Sequence, residues 1–179
     1  MLVNSILRDS TALTIRDAEL IDAESIIELM MAITSETENL AYGSGDFKMT
    51  AEEERAYIEK VKGSLNSAFL LAFKEGALVG FAALSGYSRP KVAHGADLSM
   101  GVLKAHWGQG IAKELLKATI NWAAASNVVS KINLLVRTDN TPAIKLYRSM
   151  GFEIEGRLTR DFKICGVYYE SYYMGLCIG

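Results

Sequence analysis

The chain has 179 residues, 50% hydrophobic and 22% charged, an ordinary composition for a single globular domain covering residues 1–179. A formal net charge of −2 gives no basic field, which argues against nucleic acid or an anionic membrane as a partner. Two cysteines are too few for a disulfide framework and have no metal-ligand spacing with the two histidines, so no metal is expected.

The first part of the chain reads as a strand, two helices and a hairpin. Asp22 is expected to cap the first helix, and Thr50 with Glu53 three residues later forms a capping-box pattern that starts the second helix. A Glu75–Gly76 turn joins the two hairpin strands. The predicted ranges are a strand at 13–16, a helix with Ile26, Ile27, Met30, Met31 and Ile33 on its apolar face, a helix at 51–62, and strands at 68–73 and 78–84.

The second part alternates strands and helices. The predicted ranges are strands at 93–103, 131–137, 152–158 and 168–176, and helices at 111–125 and 142–150. Together the pattern predicts a mixed α/β fold: one sheet of about seven strands, antiparallel except at its centre, with helices on both faces. The N-terminal ten residues include Arg8 and Asp9 and lack the apolar run of a signal peptide, and no stretch approaches a membrane span of roughly 20 apolar residues. A cytoplasmic location is therefore expected.

The most informative segment is the glycine-rich turn between the fourth strand and the third helix. Residues 106–112 read His-Trp-Gly-Gln-Gly-Ile-Ala. Glycines let backbone N–H groups approach a ligand closely, and a helix N-terminus adds unpaired donors and a positive dipole end, a combination that binds phosphate. The turn lacks the lysine of a P-loop and the third glycine of a dinucleotide fingerprint. Taken alone, the glycine-rich turn is as consistent with a purely structural role as with phosphate binding.

A second motif lies on the last helix, within residues 140–152. Ala143, Leu146, Tyr147 and Met150 share one face at helical spacing, as in a helix packed on a sheet. Tyr147 differs from the others because a buried phenol needs a hydrogen-bond partner and is able to donate a proton to a leaving group.

With both motifs in this order, the chain resembles the GNAT superfamily of N-acetyltransferases. The turn matches the family's acetyl-CoA motif at Gly108, Gly110 and Ala112, with Trp107 in place of the usual arginine or glutamine, a substitution familiar in the ribosomal-protein N-terminal acetyltransferase branch. The second family motif is matched at Asn140, Ala143, Leu146, Tyr147, Gly151 and Phe152. The resemblance covers residues 13–174.

The resemblance implies a site for acetyl-CoA and no metal. The backbone from Met100 to Val102 would lie along the pantetheine arm, where the central strand is expected to carry a bulge and to separate from the next strand. Asn140 and Ala143 would meet the CoA arm, and Tyr147 would protonate the leaving thiolate. The pyrophosphate would be held by backbone N–H groups of His106, Trp107, Gly108, Gln109, Gly110, Ile111 and Ala112.

The acceptor amine must lose a proton before it attacks the thioester. Asp97, on the central strand, is the first candidate base; phosphinothricin acetyltransferase-like members carry a glutamate there. His94 is the second candidate, because the pKa of a histidine suits proton relay. An ordinary surface role is an equal alternative for Asp97 and the stronger alternative for His94.

The acceptor itself is the least determined part. Glu36, near the end of the first helix, and Tyr168, on the last strand, would line its pocket by resemblance. Three functions stay open: acetylation of a small amine such as an amino acid, an amino-acid-like toxin or a polyamine; acetylation of protein N-termini; and CoA binding without turnover. Family members often form dimers, so a homodimer is considered.

Overall fold

The computed structural model describes residues 1–7 and 9–179, and Arg8 lies outside them. Within these residues eight strands form one sheet in the order β1-β2-β3-β4-β5-β6-β8-β7, so the mixed α/β class is confirmed with one strand more than expected. The strands are β1 (Leu2–Ile6), β2 (Ala12–Asp17), β3 (Ala68–Lys74), β4 (Ala77–Gly86), β5 (Gly95–Val102), β6 (Lys131–Arg137), β7 (Glu153–Ile164) and β8 (Val167–Cys177). The helices are α1 (Ala23–Glu36), α2 (Ala51–Lys62), α3 (Ile111–Ser126) and α4 (Thr141–Ser149).

The additional strand is β1, at the edge of the sheet. It pairs antiparallel with β2, from Leu2 opposite Arg16 to Ile6 opposite Ala12. Its residues alternate between exposed and half-buried. An edge strand that covers little of the core carries a weak hydrophobic pattern, which explains why the sequence did not predict it.

Two apolar layers lie on opposite faces of the sheet. Along β3 the side chains alternate: Leu70 packs with α3 on one face, whereas Phe69 and Leu71 pack with α1 and α2 on the other. Helix α4 lies on the α3 side, since Ala143, Ile144, Leu146 and Tyr147 pack against that layer. The prediction of helices on both faces is therefore confirmed.

The helix starts show one correct expectation and one error. Thr50 and Glu53 form the expected reciprocal capping box at α2. Asp22 precedes α1 but makes no side-chain cap, because its carboxylate instead accepts hydrogen bonds from Arg16 and from the backbone N–H of Glu19. Met31, expected on the apolar face of α1, is 55% exposed.

The centre of the sheet changes its pairing along β5. The ladder between β4 and β5 is antiparallel and in unbroken register, from Gly80 opposite Val102 to Gly86 opposite Ala96, so the expected bulge is absent from it. On its other edge β5 pairs in parallel with β6 at only three positions, the last being Asp97 opposite Asn133. The expected separation of the two strands is confirmed, and it opens beyond Asp97.

The capping box gives a direct test of the fold. Replacing Thr50 with alanine removes the oxygen that accepts the Glu53 N–H, and we expect a loss of about 1 kcal/mol in the free energy of unfolding. Chemical denaturation measures it. Thr50→Ser keeps the hydroxyl and should unfold like the wild type; equal losses in both variants would mean that the hydroxyl contributes nothing.

Candidate functional site

The site is organised around the gap between β5 and β6. Beyond Asp97, the β6-facing edge of β5 has no strand partner among the described residues, and β6 follows β8 instead. Backbone N–H and C=O groups along such an edge need hydrogen-bond partners. An extended ligand with amide groups is therefore able to bind there by adding to the strand edge.

The two faces of β5 present different side chains to the gap. Leu98, Met100 and Val102 belong to the apolar layer shared with α3. Gly101 faces the opposite layer, where a methyl group in place of its hydrogen would come within 3.3 Å of Phe81 and Ile33. Because side chains alternate along a strand, Asp97 lies on the same face as Gly101, toward α1 and α2.

The turn after β5 has the backbone of an anion site. Gly108 and Gly110 have φ angles of +75° and +95°, a region that L-residues rarely adopt, and no atom lies within 4 Å of where a Cβ would be at either glycine. Gly110 is the N-cap of α3. The first N–H groups of that helix have no intrahelical partner, and they lie at the positive end of the helix dipole.

Two of the expected backbone donors are already used. The N–H of His106 donates to the carbonyl of Leu103, and that of Trp107 donates to Lys104, because residues 104–106 form a 3-10 turn. The backbone N–H groups still available to a phosphate are therefore those after this turn: Gly108, Gln109, Gly110, Ile111 and Ala112.

Side chains hold this turn in place. The indole Nε1–H of Trp107 donates to the carbonyl of Val102 at 2.7 Å, tying the turn to the end of β5. Gln109 accepts from the Lys74 ammonium at 2.7 Å and donates to the carbonyl of Ala105 at 3.2 Å. Trp107 therefore stabilises the turn, at the position where the family motif usually has arginine or glutamine.

Helix α4 places the two candidate residues of the second motif. The side-chain oxygen of Asn140 accepts the N–H of Ala143 at 3.3 Å, so Asn140 caps the helix and its amide NH₂ is left to meet a ligand. Tyr147 is partly buried against the α3 layer, with its ring 5.7 Å from that of Phe152. Burial raises the pKa of Tyr147 to about 12, so the phenol keeps its proton at any physiological pH.

Asp97 belongs to a cluster of hydrogen-bonded polar side chains that the sequence did not predict. The hydroxyl of Tyr87 donates to the Asp97 carboxylate at 2.5 Å, and Asn133 donates to the same hydroxyl at 3.3 Å. Burial and the Asp97 carboxylate raise the pKa of Tyr87. Tyr87 follows β4 in a loop without a periodic pattern, so its contact with β5 is visible only in the folded chain.

His94 lies at the closed end of the gap. Its carbonyl accepts the N–H groups of Ser130 and Lys131, which joins the start of β5 to the start of β6. The imidazole is exposed, and at about 3.3 Å per residue it is some 10 Å along the chain from Asp97, away from the opening. The structure therefore places His94 at the end of β5 away from the opening, and its role as a base stays a prediction.

The surface around Asp97 on the α1–α2 face of the sheet, with Ser85 and Leu135, is called the cleft below. Ser85 lies directly opposite Asp97 in the ladder between β4 and β5, and both side chains are exposed. Leu135 on β6 is 50% exposed and pairs with Tyr173 of β8, which extends the same floor. On α2, burial raises the pKa of Tyr57, and an interaction with Ser85 acts in the opposite direction. Alternation along the strands was the only sequence signal for these residues.

The two residues expected to line the acceptor pocket, Glu36 and Tyr168, stay predictions, and the structure gives each a local contact. The Glu36 carboxylate accepts the backbone N–H of Lys104 at 2.7 Å, so it fastens the end of α1 to the segment after β5. Tyr168 is half exposed at the β7–β8 hairpin, where Arg160 and Lys163 lie 5.0 and 5.3 Å from its ring. Among the described residues, neither side chain forms a hydrogen bond with Asp97.

Arg137, at the end of β6, closes one side of the cleft. Its guanidinium donates to both oxygens of Asp139 and, at 3.1 Å, to the carbonyl of Glu38 in the loop after α1. It also stacks 4.0 Å from the centre of the Tyr169 ring. The Asp139 carboxylate raises the pKa of Arg137, so this bridge between loop and sheet stays charged.

Comparison with known proteins identifies the family. The chain is 35% identical over 105 residues to the L-amino acid N-acetyltransferase AaaT of Escherichia coli, covering 59% of this chain and 65% of that protein. It is also 35% identical over 99 residues to the N-alpha-acetyltransferase RimI of Mycobacterium tuberculosis, covering 55% and 59%. The matches thus span less than two thirds of either relative.

The fold comparison extends over nearly the whole chain. A GNAT-family acetyltransferase structure from Streptococcus pneumoniae superposes with a TM-score of 0.90 at 32% identity, covering 93% of this chain and 99% of that one. None of the helices in the described part of the chain is long and apolar enough to cross a membrane. The model of the acetyltransferase (GNAT) family matches residues 29–152, more than half of the sequence, and the chain therefore belongs to that family.

Proposed function

We propose that the protein is an acetyl-CoA-dependent N-acetyltransferase whose acceptor is a small amine of the amino-acid class. The residues present fit the cosubstrate: the open glycine turn offers N–H donors for phosphate, and the separated edges of β5 and β6 offer partners for the pantetheine amides. Bound there, acetyl-CoA supplies an activated acyl thioester.

Residues on the two faces of β5 then contribute to different steps of the reaction. The free β5 edge beyond Asp97 provides backbone N–H donors for the oxyanion of the tetrahedral intermediate. Asp97 accepts a hydrogen bond from the incoming ammonium and takes part in its deprotonation, with Tyr87 fixing the carboxylate. Tyr147 carries a proton throughout the physiological range and donates it to the departing sulfur.

The observation that favours a small acceptor is the contact between Arg137 and the Glu38 carbonyl. It joins the α1–α2 loop to the end of β6, so the cleft is bridged at a place where a peptide groove would run open. The exposed Leu135 and the aromatic Tyr173 give the floor an apolar character suited to a hydrophobic side chain. The similarity to AaaT, by its name an L-amino acid N-acetyltransferase, supports the same choice.

Acetylation of protein N-termini is the second candidate, supported by the similarity to RimI. Thiol release from acetyl-CoA against L-amino acids, polyamines, aminoglycosides and short peptides separates the two. Turnover with amino acids alone supports the proposal, turnover with peptides alone replaces it with the second candidate, and tight CoA binding without turnover points to a non-catalytic protein.

The glycine turn predicts a loss of CoA affinity in Gly110→Ala. At a φ of +95° an alanine side chain is strained by about 1 kcal/mol or more, so the turn should shift and misalign its donors. We expect about tenfold weaker CoA binding by calorimetry. Gly156→Ala, at a strand position with space for a methyl group, should bind like the wild type. Unchanged affinity in Gly110→Ala would remove the turn from the site.

Tyr147→Phe tests whether Tyr147 donates the proton to the leaving sulfur. We expect kcat to fall by about 10²-fold while the affinity for CoA stays within a factor of two, because only the proton donor is removed. Phe152→Leu, which changes the neighbouring ring and keeps the phenol, serves as the packing control. Full activity of Tyr147→Phe would exclude the role.

Asp97→Asn and His94→Gln together test which of the two residues assists deprotonation of the acceptor amine. We expect kcat/KM for the acceptor to fall by about 10²-fold because the ammonium loses its anionic partner. His94→Gln should retain wild-type kinetics, since His94 lies at the closed end of the gap. The reverse pattern would make His94 the functional residue and reject Asp97.

A further inference from the structure

Gln109 holds the glycine turn through both ends of its side-chain amide. Its oxygen accepts a hydrogen bond from the Lys74 ammonium at 2.7 Å, and its nitrogen donates to the carbonyl of Ala105 at 3.2 Å. Gly108 and Gly110, on either side of it, have positive φ angles and no side chains to pack. Because glycine backbone adopts many conformations, the direction of the N–H groups in this turn depends on the bonds that Gln109 makes.

Strand β3 carries Lys74 to the turn. Side chains alternate along the strand, and Leu70 and Ala72 belong to the layer shared with α3, so Lys74 at the end of β3 faces the same side. Its side chain is only 12% exposed. A lysine is covered to this extent only when its ammonium has hydrogen-bond acceptors. Gln109 is one of them, which places a positive charge one side chain away from the backbone donors of the turn.

Asp9 is a second acceptor for the same ammonium. Its Oδ2 atom lies 2.7 Å from the Lys74 nitrogen, and its Oδ1 atom accepts the backbone N–H of Thr11 at 3.1 Å. Hydrogen bonds from Lys74 and Thr11 lower the pKa of Asp9, so its carboxylate stays charged at physiological pH. The ammonium is therefore held from two sides, by the connection between β1 and β2 and by the glycine turn.

Other lysines near the turn differ from Lys74. Lys104 and Lys113 are exposed and take part in none of the ion pairs in the described part of the chain, and Lys117 is paired within its own helix at 2.8 Å. Lys74 alone among these four donates to the side chain of Gln109. A direct bond from a covered ammonium is suited to fix the turn, whereas an exposed lysine on a flexible stem is not.

We propose that Lys74 is a positioning residue for acetyl-CoA, which acts through Gln109 to keep the N–H donors of the glycine turn directed at the pyrophosphate. The inference rests on acetyl-CoA as the cosubstrate and not on the identity of the acceptor. Preorganised donors bind more tightly than mobile ones, because less conformational entropy is lost on binding. The whole pantetheine arm separates the pyrophosphate from the thioester, so Lys74 should contribute to CoA binding and leave the chemistry at the thioester unchanged.

Calorimetric titration with CoA tests the inference in the wild type, Lys74→Met and Lys60→Met. Methionine keeps the length and the apolar stem of lysine but donates no hydrogen bond. We expect Lys74→Met to bind CoA about tenfold more weakly, with kcat unchanged at saturating acetyl-CoA, because only the support of the turn is lost. Lys60→Met, exposed on α2, should bind like the wild type. A folded Lys74→Met with wild-type affinity overturns the inference.

A double-mutant cycle shows whether Lys74 acts through Gln109. Gln109→Leu removes the same bond from the other side, so the double variant should bind CoA no more weakly than the weaker single variant. Losses that multiply in the double variant would mean that Lys74 acts on the phosphates by its charge alone, and they overturn the positioning role. If Lys74→Met does not fold, Gln109→Leu carries the test, and wild-type affinity in that variant overturns the inference.

A truncated cosubstrate separates positioning of the turn from general damage to the fold. S-acetylpantetheine carries the same thioester but no pyrophosphate, so Lys74→Met and the wild type should use it with equal kcat/KM. Equal losses with S-acetylpantetheine and with acetyl-CoA overturn the inference. A wild type that binds CoA, with the expected weakening in Lys74→Met but no turnover on any amine, supports the inference and contradicts only the proposed function.

Discussion

The loss of pairing between β5 and β6 beyond Asp97 is the constraint on which the rest of the structure depends. β5 is held to β4 by a continuous antiparallel ladder, and β6 is held to β8, so each central strand has one satisfied edge and one free edge. Backbone groups left without partners are unfavourable inside a protein. Water or a ligand must therefore satisfy the backbone groups in the gap, and the glycine turn and the helix with Tyr147 follow β5 and β6 in the chain.

Alternation along β5 divides the site between donor and acceptor. Met100 and Val102 face the apolar layer that contains α3 and α4, and the glycine turn leads into α3. Asp97 faces the opposite side of the sheet, toward the cleft under α1 and α2. A one-residue shift of register would exchange these faces and place the carboxylate in the apolar layer. Gly101 supports this register, since only a residue without a side chain fits against Phe81 and Ile33 without displacing them. The close packing of α1 against Gly101 therefore helps to keep Asp97 on the α1–α2 face of β5.

The sequence predicted those parts of the fold that carry strong local patterns. The capping box at Thr50, the Glu75–Gly76 turn and the order of the central elements follow from signals within a few residues, and these agree with the structure. β1 was missed because an edge strand has little buried surface. In the site, Gly108 and Gly110 were recognisable because their positive φ demands glycine. Tyr87 was not, because it acquires its role through a contact across the sheet, and Asp22 was assigned a cap that its ion pair with Arg16 displaces.

Glu54 makes the stability of this fold depend on pH. Because burial raises its pKa, the native state binds more protons than the unfolded chain once the pH exceeds the ordinary glutamate range, so its contribution to stability declines as the pH rises toward the folded-state pKa. A leucine or glutamine on the inward face of α2 would avoid this cost. Asp97 and Glu54 are carboxyl groups in two environments: Asp97 is exposed and accepts the Tyr87 hydroxyl, whereas Glu54 is buried on the inward face of α2.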